Sequence, residues 1–166
     1  NTIFVGMKQK ILIQVATLLL AIVLGASSAH AQSITQGARA PRLSSSAWLT
    51  DRPTLKGKAL LVEFFHSTNQ ECRERIDELN QIAALYKESL NVVVVAREPQ
   101  EQIAEMMLHE YQHFYVAIDE AGTIFKSFDV RYVPYSVLTN HRGVILWTGN
   151  SALLDQATID KIITTK

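Results

Sequence analysis

An apolar stretch that runs directly into an amphipathic helix constrains the fold of this chain more than any other feature. Residues 59–65 (ALLVEFF) are large and hydrophobic except for Glu63, and Gly57 and polar residues bound them. Such a run predicts a strand buried on both faces of a sheet. Asn69 is a suitable helix N-cap, and apolar residues then recur at spacings of three and four from Cys72 onward. Any chemistry is expected at this junction, because the first helical turn carries the only cysteine of the chain.

The rest of the chain alternates between predicted strands and predicted helices. Further strands are predicted at 91–96, 114–118, 135–139 and 144–148, and helices at 99–113, 123–129 and 153–165. This order of elements predicts an α/β sandwich with a mixed sheet.

Residues 1–31 consist of upstream residues and a stretch with the pattern of a secretory signal peptide. Two lysines precede an apolar stretch at 11–24, and Ala29-His30-Ala31 has the small-x-small form of a cleavage site. The apolar stretch is short for a membrane span, so we expect removal of the signal and export to the periplasm. An uncleaved anchor is the alternative, and only then is contact with a membrane expected. Residues 32–166 are expected to form one domain.

Charge and cysteine content narrow the possible partners. The chain has 16 basic and 16 acidic residues, a balance that gives no support for nucleic acid as a partner. Because Cys72 is the only cysteine, the chain cannot form an internal disulfide. An exported form must therefore be stabilised by packing.

Residues 64–73 (FFHSTNQECR) resemble the active-site segment of the thioredoxin superfamily. The similarity is to the TlpA/ResA-like periplasmic thiol-disulfide oxidoreductase branch, which reads F-W-A-x-W-C-x-x-C-R at this place. Cys72 matches the second cysteine, Asn69 stands where the first, nucleophilic cysteine is expected, and Thr68 replaces the tryptophan before it. The resemblance therefore implies a degenerate active site, N-Q-E-C at Asn69, Gln70, Glu71 and Cys72.

Two later motifs resemble the same branch. Residues 128–134 (FDVRYVP) are similar to its Y-G-V-x-x-x-P signature, in which the proline is cis, and 143–149 (GVILWTG) to its G-x-I-x-x-x-G. The resemblance covers the chain from about residue 36 to the C-terminus. It implies a thioredoxin fold, with a short hairpin near residue 48 before the first core strand, a mixed central sheet flanked by helices and an extra helix-strand insertion at 99–118.

The resemblance leaves two functions open, because Asn69 cannot attack a disulfide and one cysteine cannot cycle between dithiol and disulfide. In the first, a redox-inactive module holds an extended polypeptide, or a thiol-containing protein, in the groove beside Val133 and Pro134. In the second, Cys72 is a monothiol that forms mixed disulfides. Neither function implies a cofactor.

Three side chains near the junction each have two interpretations. Cys72 is either an inert core thiol or a reactive one. Glu63 matches a buried carboxylate that exchanges protons with the second cysteine in the family, and here it is either functional or a relic held by water. Burial should raise its pKa. His66 is either a base near Glu63 or Cys72, or an ordinary loop histidine.

One motif indicates a different chemistry. Residues 109–113 (HEYQH) form a literal H-E-x-x-H, which on a helix places His109 and His113 on one face with a glutamate as base. A zinc hydrolase is therefore a remote alternative. The predicted strand from Phe114 ends the helix and no third ligand is placed for the motif, so a pair of surface histidines and no metal site are expected.

Overall fold

The structure, a computed structural model, describes residues 34–44, 47–107 and 113–165. The predicted signal peptide at 1–31 and His109 of the H-E-x-x-H motif lie outside the described residues. Within the described ranges, no helix is both long and apolar enough to cross a membrane.

Six strands form one mixed sheet. In chain order they are β1 (Ala47–Trp48), β2 (Ala59–Phe65), β3 (Leu90–Ala96), β4 (Tyr115–Ile118), β5 (Tyr135–Thr139) and β6 (Ile145–Gly149). Their order across the sheet is β1-β4-β3-β2-β5-β6. Strands β2, β3 and β4 are parallel, whereas β1, β5 and β6 run antiparallel to their neighbours.

Four α-helices connect or follow these strands. They are α1 (Gln70–Leu85), α2 (Gln100–Met107), α3 (Thr123–Ser127) and α4 (Gln156–Thr164). A short 3-10 turn at Ser151–Leu153 precedes α4. The predicted α/β architecture with a mixed sheet is therefore confirmed.

Strand β2 lies at the centre of the sheet and has the bounds that the sequence predicted. Successive side chains of a strand point to opposite faces, so β2 contributes to both layers of the core. Leu61 and Phe65 belong to the cluster that includes Cys72, while Val62 and Phe64 belong to the cluster on the other side. All four β2 side chains are buried, as expected for a strand covered on both faces.

The start of α1 is set by a side-chain cap. Asn69 has extended backbone angles (φ −80°, ψ 121°), and its Oδ1 accepts from the Cys72 N–H at 3.0 Å. The predicted N-cap is thereby confirmed. The buried face of α1 includes Cys72, Ile76 and Leu79. Burying a side chain such as Leu79 stabilises the fold by about 2 kcal/mol, which holds the helix on the sheet.

Two local predictions were wrong. Residues 47–48 form an edge strand that pairs with β4, not a hairpin. The last helix begins at Gln156, not near 153, because the Asp155 side chain accepts from the Thr158 N–H and caps the helix there. Asn150 caps the preceding 3-10 turn in the same way, so the first residue of the predicted helix, Leu153, belongs to that separate turn.

Candidate functional site

Asn69 joins the start of α1 to the loop before β5. While its Oδ1 caps the helix, its Nδ2 donates to the Val133 carbonyl at 3.1 Å. The Val133–Pro134 peptide bond is cis, and Pro134 is buried directly after it. Both polar atoms of the Asn69 amide are thus used in hydrogen bonds at the position where the resemblance places a nucleophile. An amide in this arrangement has no atom that could attack a disulfide.

Cys72 is a buried free thiol in the core cluster beneath α1. Burial raises its pKa to about 11; a hydrogen bond with the His66 backbone opposes the rise, and the carboxylates of Glu63, Glu71 and Glu98 add to it. Only the thiolate is strongly nucleophilic, so this environment suppresses reaction at neutral pH. The helix N-terminus would favour a thiolate, but here burial outweighs it.

Glu63 is buried at the middle of β2, and its carboxylate accepts hydrogen bonds from two serine hydroxyls. Ser136 Oγ donates to one carboxylate oxygen, and Ser151 Oγ donates to the other at 3.1 Å. Burial raises the pKa of Glu63 to about 7, while the two hydroxyls and the Arg75 guanidinium oppose that rise. Arg75 in turn donates to the Ser151 carbonyl at 2.6 Å. Protein groups, and not a bridging water alone, therefore satisfy this carboxylate.

Glu98 is a buried carboxylate of the site that sequence reasoning missed. Its Oε1 accepts from the Ser67 N–H at 2.6 Å and lies 3.4 Å from His66 Nδ1. Its Oε2 is buried and has no partner among the residues that the structure describes. Strands β2 and β3 are parallel with Phe65 beside Ala96, so residues just after both strands meet at one edge. The signal available in the sequence was the position of Glu98 two residues after a predicted strand, whereas the register came only from the structure.

The remaining residues around the junction face solvent. His66 and Thr68 are exposed, and their side chains contact each other at 3.1 Å between Nδ1 and Oγ1. No ring contact of His66 with Glu63 or Cys72 is found among the described residues, so its imidazole faces Glu98 instead. Gln70 and Glu71 of the N-Q-E-C segment also point outward: Gln70 donates to Glu74, and Glu71 accepts weakly from Asn150.

The loop before β5 presents an aromatic surface next to Asn69. Tyr132 is 63% exposed and packs edge-on against Tyr135, with ring centroids 5.6 Å apart. Val133 is half-buried, and within the described ranges its backbone N–H donates no hydrogen bond. An extended chain bound along this loop would be able to accept a hydrogen bond from the Val133 N–H, beside the exposed ring of Tyr132.

Comparison with solved structures assigns the fold. A Chlorobium tepidum protein assigned as a thiol:disulfide interchange protein DsbE superposes with a TM-score of 0.66 at 22% identity, over 79% of this chain and 99% of that one. The thioredoxin domain of a thiol-disulfide oxidoreductase from Bacteroides vulgatus gives 0.64 at 18%, over 80% and 100%. The chain has the thioredoxin fold. An exposed lipoprotein thioredoxin of Streptococcus pneumoniae is also similar, with a TM-score of 0.56 at 17% identity over 66% and 85%.

No family model and no curated protein matches the chain. At these sequence identities the similarity establishes the thioredoxin fold, which confirms that prediction. The chemistry of the site has to be argued from the residues of this chain. The thioredoxin fold here contains the expected insertion, since α2 and β4 lie between β3 and the last two strands.

The structure gives no support to the zinc-hydrolase alternative. His113 is exposed, and its backbone N–H donates to Asn80 Oδ1 at 3.1 Å. Over the described ranges, no group of three His, Cys, Asp or Glu side chains could hold a metal ion. The other histidine of the motif, His109, lies outside those ranges, so the predicted pair of surface histidines stays a prediction.

Proposed function

We propose that this chain is a redox-inactive binding module of thioredoxin fold that holds an extended polypeptide along the loop before β5. The proposal rests on the hydrogen bonding of the Val133 backbone. Its carbonyl is held by Asn69 at 3.1 Å, and its N–H has no hydrogen-bond partner among the described residues. A residue whose carbonyl is held in place and whose N–H is free can pair with an extended chain, as in β-strand addition.

The surface around Val133 supports a polypeptide ligand. Tyr132 is the most exposed aromatic side chain near the loop, at 63%, and exposed tyrosines often provide anchors in protein interfaces. Thr68 and His66 line the other side of the Asn69 turn and are also exposed. Together these side chains offer one aromatic contact and several polar ones beside the free backbone donor.

The geometry argues against the monothiol alternative. Cys72 is 1% exposed and its pKa is raised to about 11, so both access and thiolate content are low. A mixed disulfide at Cys72 would require α1 to move off the sheet. The thiol therefore serves packing in this proposal.

Export is the second part of the proposal. Residues 1–31 have a secretory pattern, and one similar thioredoxin-fold protein is an exposed lipoprotein. A periplasmic location would expose the groove to unfolded exported chains. Fusion of residues 1–31 to a reporter that is active only outside the cytoplasm tests this directly: an inactive reporter would contradict export.

The binding proposal is tested with the full chain and a reduced, alkylated ribonuclease as the unfolded polypeptide. We expect amide shift changes at Thr68, Tyr132 and Val133, and about tenfold weaker binding for Tyr132→Ala. Leu153→Ala removes another exposed apolar side chain, 79% exposed, and serves as the matched control. Absence of binding, or equal weakening of binding by both variants, would refute the proposal that this groove binds a polypeptide.

The same preparation tests the alternative. Incubation with oxidised glutathione should leave the mass of the native chain unchanged, whereas a monothiol enzyme would gain one glutathione. A gain of mass in the native state would favour the enzyme over the binding module.

A further inference from the structure

A cavity lies at the end of the sheet away from Cys72. It has a volume of about 280 Å³, and its walls include Leu60 of β2 and Thr139 of β5, which are paired in the antiparallel register. Phe64 and Tyr135 are paired near the other end of the same two strands, beside the Asn69 turn. Because strands rise about 3.3 Å per residue, the cavity is separated from the groove by most of the length of β2.

The rim of this cavity is basic. Arg42, Arg52, Lys58 and His141 line it, and no acidic residue does. The chain as a whole has 16 basic and 16 acidic residues, so this concentration of one sign departs from the average composition. Arg42, Arg52 and Lys58 place three positive charges around one opening, and these create a positive potential that attracts anions.

Three of the basic side chains lack a counter-ion. Among the described residues, Arg42, Arg52 and His141 have no ion pair and no side-chain hydrogen bond. Lys58 donates to the Lys87 carbonyl and keeps two further donors. The guanidinium groups are therefore available for a carboxylate or phosphate, which arginine binds with two parallel hydrogen bonds.

The interior of the cavity combines apolar walls with one unsatisfied hydroxyl. Leu43 is buried, Leu60 is half-buried and Leu55 is 37% exposed, so the walls can cover an apolar group. Thr139 is 1% exposed, and its Oγ1 has no hydrogen-bond partner among the residues described. A buried hydroxyl without a partner is costly, so a ligand atom that reached it through a shift of the surrounding side chains would stabilise it.

We propose that this cavity binds a small organic anion, with its carboxylate or phosphate at the basic rim and a short apolar group against the leucines. Its volume of about 280 Å³ lies near the lower limit of typical ligand sites, about 300 Å³, which restricts the ligand to roughly one ring or a short alkyl chain. This site is independent of the groove beside Val133, because the two share no lining residue.

The test uses the full chain, isotope-labelled, and three probes of one size: benzoate, phenyl phosphate and neutral benzyl alcohol. We expect one or both anions to shift the amides of Leu60, Thr139 and His141, with benzyl alcohol binding about tenfold more weakly. Whichever anion binds more tightly identifies the head group. Thr139→Val keeps the shape of the side chain, removes the hydroxyl, and should weaken anion binding.

Charge-reversal variants distinguish anion binding at the basic rim from a general effect of the net charge of the protein. Arg52→Glu should weaken anion binding about tenfold or more, while Lys161→Glu, an equal charge change at an exposed position of α4, should leave it unchanged. Equal weakening by both variants, or equal affinity for benzoate and benzyl alcohol, would overturn the proposal. So would binding to phosphatidylglycerol vesicles without binding to either small anion, since the basic rim would then serve a membrane surface.

Discussion

The side-chain amide of Asn69 donates to the carbonyl of Val133 at 3.1 Å, across 64 residues of sequence, while its oxygen caps α1. One side chain therefore fixes the relative position of the two segments that form the proposed groove. A cysteine at this position would have left the Val133 carbonyl without that donor. Compared with a cysteine, an asparagine at this position offers no nucleophile and adds a structural link between helix and loop.

The two hydrogen bonds of Asn69 can be measured separately. Asn69→Ser keeps a capping oxygen but loses the donor to Val133, so we expect a loss of about 1 kcal/mol in unfolding free energy. Asn69→Ala loses both bonds and should cost about 2 kcal/mol. Urea unfolding of the three proteins gives both values. If the serine variant were as stable as the parent, the link to Val133 would contribute nothing.

Cys72 should react slowly with a thiol reagent in the native state and fast after denaturation. Its pKa is raised from 9.0 to about 11, which alone lowers the thiolate fraction about 100-fold at pH 8. Burial should slow the reaction further. Cys72→Ala is the blank for the assay. Rapid native labelling with a midpoint below pH 8 would instead support the monothiol enzyme.

Glu63 should make stability fall as pH rises. Its folded pKa is about 7 against an ordinary value of 4.5, so the folded state binds the proton more tightly than the unfolded chain. That contribution is present in full below pH 4.5 and is lost as pH rises to 7, by about 3 kcal/mol in all.

Glu63→Gln should remove most of this pH dependence. At pH 8 the variant should be more stable than the parent, because a neutral amide replaces a buried carboxylate, and at pH 4 the two should differ little. Urea unfolding at both pH values measures the effect, with the exposed Glu105→Gln as control. A parent whose stability rises between pH 5 and pH 7 would contradict the raised pKa.

Asn69→Cys should create a thiol pair in the first turn of α1. The new cysteine would lie three residues before Cys72, a spacing within reach of a disulfide. We expect the variant to lose two hydrogens by mass on oxidation. Its reduced, dithiol form should reduce a model protein disulfide slowly and become the disulfide itself, since Cys72 remains shielded by burial. Asn69→Ser keeps the cap and serves as the control that cannot close a disulfide. Failure to form the disulfide would show that Asn69 and Cys72 are not arranged as a C-x-x-C pair.

Local features of the structure were predictable from the sequence alone. The bounds of β2 and the N-cap at Asn69 follow from hydrophobic runs and from one side chain acting on its neighbours three residues away. The predicted start of the last helix was wrong because two local signals competed there. The apolar periodicity extended to residue 153, but the Asp155 side chain caps the helix and makes it begin at Gln156. The position of the candidate site along the chain could therefore be predicted from the sequence, because it depends on contacts within a few residues.

The surroundings of the site were decided by the tertiary structure. Glu63 is held by Ser136 and Ser151, which are 73 and 88 residues away, and Glu98 reaches Ser67 across 31 residues. These contacts depend on strand register and on the parallel pairing of β2 with β3, neither of which a single sequence specifies. The sequence therefore determined where the lone thiol lies along the chain, and the packing of distant strands decided that it is buried in the core.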